Sequence, residues 1–151
     1  MTKFEFEVWA NHILSLCDFK SQDEIDKFCN LLNTAKKEID ADTVRVLLRT
    51  FSDVDDYGIQ EQTRNVIESV DKNIFYPVLI DELQALIERS SEKEWALTLL
   101  GLEFQYGNPY LLIDSLKSCD DEKQVAFKKF VSSPHFLEEY PEAKEYVKRL
   151  S

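Results

Sequence analysis

Apolar side chains recur at three- and four-residue steps along almost the whole chain, and this period constrains the fold more than any other feature. Phe6, Trp9, Ile13 and Leu16 form one stripe, Ile25, Phe28, Cys29 and Leu32 a second, and Val44, Leu47, Leu48 and Phe51 a third. Ile59, Val66, Ile67 and Val70 follow, then Tyr76, Leu79, Ile80, Leu83, Leu86 and Ile87. The last stripes run through Leu112, Ile113 and Leu116, through Ala126, Phe127, Phe130 and Val131, and through Ala143, Tyr146, Val147 and Leu150. Stripes of that width belong to helices that each bury one face, whereas strands need period two. Phe4, Phe6 and Val8 alternate strictly and favour a short opening strand, but the run is too short to outweigh the rest. The expected fold is all-α, with about eight or nine helices joined by short turns.

Boundary chemistry agrees with that reading. Ser21 with Glu24 and Ser91 with Glu94 have the spacing of capping boxes, in which a hydroxyl and a carboxylate satisfy free N–H groups at a helix start. Gly107 closes one helix, and Asn108-Pro109 reads as an N-cap followed by proline at the first helical position. Pro77 is expected in a first turn after an Asn73 cap, where a missing N–H costs nothing. Residues 91–107 differ from the other segments, since Trp95, Ala96, Leu97, Leu99, Leu100, Leu102 and Phe104 surround most of a helix. Such a helix is covered on several sides and is expected at the centre. Gly101 inside it costs about 1 kcal/mol relative to alanine, which points to close approach of a neighbouring backbone.

Two successive helix pairs can be laid out, Tyr57–Val70 with Ile74–Arg89 and Glu92–Tyr106 with Pro109–Lys117, starting 35 residues apart. That interval is near the repeat length of helical-hairpin arrays, which present a broad surface to other proteins. The chain is therefore read as one domain over residues 1–151, a HEAT-like stack of helical hairpins, with an irregular helical bundle as the alternative. The length suffices for a core, because a domain of this size buries about 68–70% of its unfolded surface.

The charge is unevenly spread. The chain has 29 acids against 18 bases, a net of −11. Residues 53–94 alone hold eleven acids and four bases, while residues 117–151 balance seven against seven. A concentrated field of one sign repels its own members, and its usual benefit is to steer a partner of the opposite sign. An ordinary solvated helical face is the bland alternative. The same field makes nucleic acid and anionic membrane poor direct partners. Glu5 and Glu7 stand where a secretion signal would be apolar, no run approaches membrane-spanning length, and Cys17, Cys29 and Cys119 fit reduced thiols. A cytoplasmic protein is expected.

Equipment for catalysis is hard to find. Three glycines cannot make a phosphate loop, and His12 and His135 have no companions at metal-ligand spacing. His12 reads as a packed or capping residue at the edge of the first stripe. The segment Asp53-Val54-Asp55-Asp56-Tyr57-Gly58 superficially suggests a calcium loop but lacks the acid pattern and the closing glutamate. Neither metal nor cofactor is expected, and the chain reads as a binding protein rather than an enzyme.

One ordered set of motifs is more specific. Ser52-Asp53-Val54-Asp55-Asp56-Tyr57 is followed by Val66-Ile67-Glu68-Ser69, by Tyr76-Pro77-Val78-Leu79 and by Glu94-Trp95-Ala96. Phe127-Lys128-Lys129-Phe130 and Ser133-Pro134-His135-Phe136 continue the series more loosely. In this order the segment from 40 to 137 resembles the all-helical, HEAT-like immunity proteins of bacterial polymorphic toxin systems, specifically the immunity protein family numbered thirty. The chain departs from that pattern at Leu102-Glu103-Phe104-Gln105-Tyr106, where the family tends to carry an arginine and an asparagine.

The resemblance implies a small cytoplasmic inhibitor that binds the C-terminal effector domain of a cognate toxin, as in contact-dependent growth inhibition. Such toxins are often nucleases, basic because they grip phosphates, and an acidic inhibitor competes for that surface. The expected partner-binding residues are Asp53, Asp55, Asp56, Tyr57 and Glu61, carboxylates beside an aromatic anchor. The structural alternative has Asp55 or Asp56 capping the next helix and Tyr57 packing on it. Trp95 is expected in the core, and Glu68, unfavourable at a helix end, is expected to pair with Arg64 or with the toxin. A general helical scaffold between other proteins is the competing function.

Overall fold

A computed structural model describes residues 1–150. The chain is all-α. Ten α-helices follow in order among the described residues: α1 (Lys3–Ser15), α2 (Gln22–Ala35), α3 (Ala41–Leu48), α4 (Ile59–Glu68), α5 (Lys72–Arg89), α6 (Trp95–Gln105), α7 (Pro109–Leu116), α8 (Asp121–Val131), α9 (Pro134–Glu139) and α10 (Lys144–Val147). Short 3₁₀ turns at Pro141–Ala143 and Lys148–Leu150 flank α10. Phe4, Phe6 and Val8 lie inside α1, so their alternation is helical; Phe6 faces Trp9 while Phe4 and Val8 stay exposed. Among the described residues no helix is long and apolar enough to cross a membrane.

The apolar stripes meet in one continuous core that includes Ile13, Phe28, Leu47, Ile67, Leu79, Leu100, Phe127 and Phe136. Odd-numbered α1, α3, α5 and α7 pack side by side in sequence order, and α2 packs on α4 beside them. This row runs through four helices. It stops at α8, which docks on α5 through fully buried Phe127 and Val131, and at α9, which folds back onto α6. Each such buried phenylalanine contributes roughly 2–3 kcal/mol relative to exposure. Although α6 is buried nearly all round, as its sequence demands, the helix on which α3, α6, α7 and α8 converge is α5.

Several local signals are realised and others are redirected. Ser21 caps α2 by accepting from the Glu24 N–H at 3.2 Å, and Asn108 caps α7 by accepting from Leu111 N–H at 3.2 Å. Ser91 and Glu94 do not form a capping box. Residues 91–94 instead form a turn before α6, with Glu94 in the left-handed region at φ 54°. Pro77 lies inside α5, which starts earlier than expected because Asp71 caps it by accepting from Asn73 N–H at 2.8 Å. The proline nitrogen has no proton for the Asn73 carbonyl, and that half-solvated first turn tolerates the loss. His12 is exposed, not packed. The three cysteines are free and half-buried, and burial pushes all three thiols up.

Gly101 is explained by a side chain, not a backbone. A Cβ at this position would lie 2.1 Å from the Tyr140 ring, which rests directly on α6 and holds the segment after α9 against it. The ring also meets Phe136 at 5.7 Å between centroids.

Candidate functional site

The loop between α3 and α4 divides the five expected binding residues into two kinds. Asp53 is committed inward: its Oδ1 accepts from the backbone N–H groups of Glu92 at 3.0 Å and Lys93 at 2.9 Å, thus capping the turn before α6 across the fold. Asp56 is committed as well, since its Oδ2 accepts from Gln60 N–H at 2.8 Å at the start of α4. Its Oδ1 lies 3.5 Å from Lys93 Nζ. Gln60, buried beside it, accepts from Ser52 N–H at 2.8 Å and fixes the loop's other end.

Asp55 and Tyr57 face outward. Tyr57 is 82% exposed and adopts φ 53°, and Gly58 follows at φ 85°. Two successive left-handed residues turn the chain sharply into α4, and only the glycine does so without steric cost. Tyr57 therefore does not pack on α4; the backbone projects its ring into solvent. Glu61, one turn along, is exposed but held by Arg64, whose Nη2 donates to Glu61 Oε2 at 2.8 Å.

Arg64 leads away from the loop to a second charged cluster. Its Nη1 donates to Glu68 Oε1 at 2.7 Å, as the sequence position of Glu68 requires. Both carboxylates hold the guanidinium proton more tightly than usual. Beyond Glu68 an open cleft of about 380 Å³ lies between the end of α4, the start of α5 and the end of α6. Lys72 Nζ donates to Glu103 Oε1 at 2.6 Å, and Glu103 is only 3% exposed. Tyr76 accepts from Asn108 N–H at 2.8 Å, and its phenol, driven up above all by burial, stays protonated beside Glu103. Gly107 is required here, because a Cβ would lie 2.7 Å from both Glu103 Oε1 and the Tyr76 hydroxyl. Tyr106, 80% exposed, forms the lip.

Sequence reasoning reached the first cluster and the Arg64–Glu68 pair but not Lys72, Glu103, Tyr106 and Gly107. Lys72 and Glu103 are 31 residues apart, and only packing of α5 on α6 brings them together. One signal was available: a glutamate in the last turn of α6 with no basic residue to offset it. No group of three or more acid, histidine or cysteine side chains among the described residues is placed to hold a metal ion. Compared with known proteins, the chain matches no family model, no curated protein and no solved structure.

Proposed function

We propose that this chain is an immunity protein that binds and neutralises the basic effector domain of a cognate toxin, a nuclease by class, by covering its substrate-binding surface. The observation that carries the reading is the concentration of acid on residues 53–94 together with two exposed tyrosines, Tyr57 just before α4 and Tyr106 just after α6. Carboxylates steer a cationic partner into encounter, and aromatic rings supply contact area at little cost in side-chain entropy. The ordered motifs from Ser52 to Ala96 and the row of packed helices support the same reading. Asp55 and Tyr57 are exposed towards a partner, Glu61 is exposed but already paired with Arg64, and Asp53 and Asp56 shape the loop that presents them. In this view the protein is not a catalyst: it occupies a surface.

The test is rescue. The chain is co-expressed with toxin domains encoded beside it, and growth is scored. Protection that depends on one such domain, with a co-purifying complex, is the expected outcome. Neither protection nor complex with any neighbouring domain would overturn the proposal. A scaffold function has one feature in its favour, the exposed Met1 just before α1 and the exposed Phe4 and Val8 on it, an apolar rather than acidic surface.

A further inference from the structure

At the other end of α6 from the charged cleft, a recess of about 140 Å³ lies among the end of α5, the start of α6, the end of α8 and the start of α9. Ile87, Ala96, Leu97 and Phe130 give it apolar walls, and Phe130 is braced edge to face on Phe136 at 5.5 Å between ring centroids. Of the polar groups around it, Ser90 spends its hydroxyl on the Leu86 carbonyl at 2.7 Å, which leaves Ser91, Glu94 and His135 at the mouth. Apolar walls around space that no side chain fills forfeit dispersion contacts. Cavities of about 150 Å³ with walls of this kind take up a single benzene ring.

The mouth supplies an independent observation. Glu94 sits at φ 54°, a conformation that glycine or asparagine adopts more cheaply. Other groups hold the turn in place: Asp53 accepts from the Glu92 and Lys93 N–H groups, and Glu94 N–H donates to the Ser90 carbonyl at 2.7 Å. What a glutamate adds there is a half-exposed carboxylate over the recess, with Oε1 2.6 Å from His135 Nε2. A pair so exposed contributes little to stability. Backbone strain that packing does not repay clusters at ligand sites. Glu94 Oε2 has no partner among the described residues, so an acceptor stands unused at the rim of an apolar hole. Apolar walls penalise a cation, and Glu94 is already paired with His135; a neutral ring carrying a hydrogen-bond donor fits both.

We propose that this recess binds a small neutral monocyclic phenol, with its ring against Leu97 and Phe130 and its hydroxyl donating to Glu94 Oε2. The volume sets one ring, the Phe130 wall favours an aromatic one, and a hydroxyl on a carboxylate makes a charge-assisted bond. The proposal does not rest on the immunity reading.

The experiment is an NMR titration of the isotope-labelled full chain with p-cresol, toluene and 4-methylcyclohexanol. Saturable shifts from p-cresol are expected at the methyl groups of Ile87, Ala96 and Leu97. Toluene lacks the donor and 4-methylcyclohexanol the flat ring, and each should bind at least about fivefold more weakly. Glu94→Gln should remove most of the advantage of p-cresol over toluene and leave toluene unchanged. Leu97→Trp fills the recess and should abolish the response to all three, with unchanged circular dichroism showing that the variant is folded. Glu94→Gln, at the exposed rim, keeps the test decisive if Leu97→Trp does not fold. No saturable response, an equal response to p-cresol and either control, or shifts centred on the exposed Phe4 and Val8 would overturn the proposal.

Discussion

The end of α3 and the ends of α4 and α6 are the same structural object, a helix C-terminus within the charged middle of the molecule, and they are treated oppositely. At α3, Arg45 reaches Asp81, Arg49 reaches Glu82 at 2.5 Å, and Arg89 donates to the Leu48 carbonyl at 3.1 Å. Lys123 on α8 donates to the Asp81 carbonyl at 2.9 Å, so the network ties α3, α5 and α8. Cations stand where the dipole wants them, and the carboxylates are consumed in holding helices together. At α4 and α6 the acids stand at the negative ends and border an open cleft. The contrast shows that neither net charge nor sign relative to the helix end separates scaffold from surface, since Glu103 opposes its helix dipole yet is buried and tied to Lys72 across α5 and α6.

Breaking the first of these regions should cost most. Arg89→Ala removes the donor to the end of α3 and leaves half-buried carbonyls unpaired; a loss of about 3 kcal/mol is expected in urea unfolding. A loss below about 1 kcal/mol would mean water replaces the guanidinium there. In the second region, Lys72→Met strands the buried Glu103 carboxylate and should cost about 2 kcal/mol, part of which Lys72→Met/Glu103→Leu should restore. A double variant no better than the single would show that the pair is worth more than its desolvation.

Tyr76 in the second region, together with three thiols elsewhere, governs alkaline behaviour. Burial raises the Tyr76 phenol and the three thiols above their ordinary values, so the folded state keeps protons that the unfolded chain releases. Stability is therefore fully present below about pH 8.5 and falls as pH rises, steepening past about pH 10 where unfolded tyrosine ionises. Tyr76→Phe should flatten the upper part of that decline in a series of thermal melts, and an unchanged slope would locate the effect elsewhere.

Smaller effects sharpen the division within the α3–α4 loop. Asp53→Ala should cost about 1 kcal/mol as the loss of a cap, whereas Asp55→Asn should move the unfolding midpoint by less than about 0.5 kcal/mol. Equal losses would erase the distinction between shaping and presenting residues.

Much of this was written into local sequence. The stripes gave the helices because burial of one face is a local periodic demand, and Ser21 and Asn108 announced starts because a cap acts within three residues. The Arg64–Glu68 pair was legible for the same reason, being one turn apart. What escaped was non-local. Asp53 caps a turn 39 residues on, so Ser91 looked like the cap that the fold had already supplied from elsewhere. Gly101 faces Tyr140, a neighbour that no pattern around residue 101 could name. Pro77 lies deeper in its helix than its own surroundings suggest because Asp71, not Asn73, holds that end. The cleft itself arises only where three helix ends converge.

Tyr57 carries one last implication. Its left-handed backbone costs about 1 kcal/mol that glycine or asparagine would not incur, and its ring recovers nothing from the core. Selection for thermal robustness alone would discard this tyrosine early, whereas under the proposed immunity function selection for capture would keep restoring it. Under that proposal, position 57 is a place where durability and recognition pull in opposite directions.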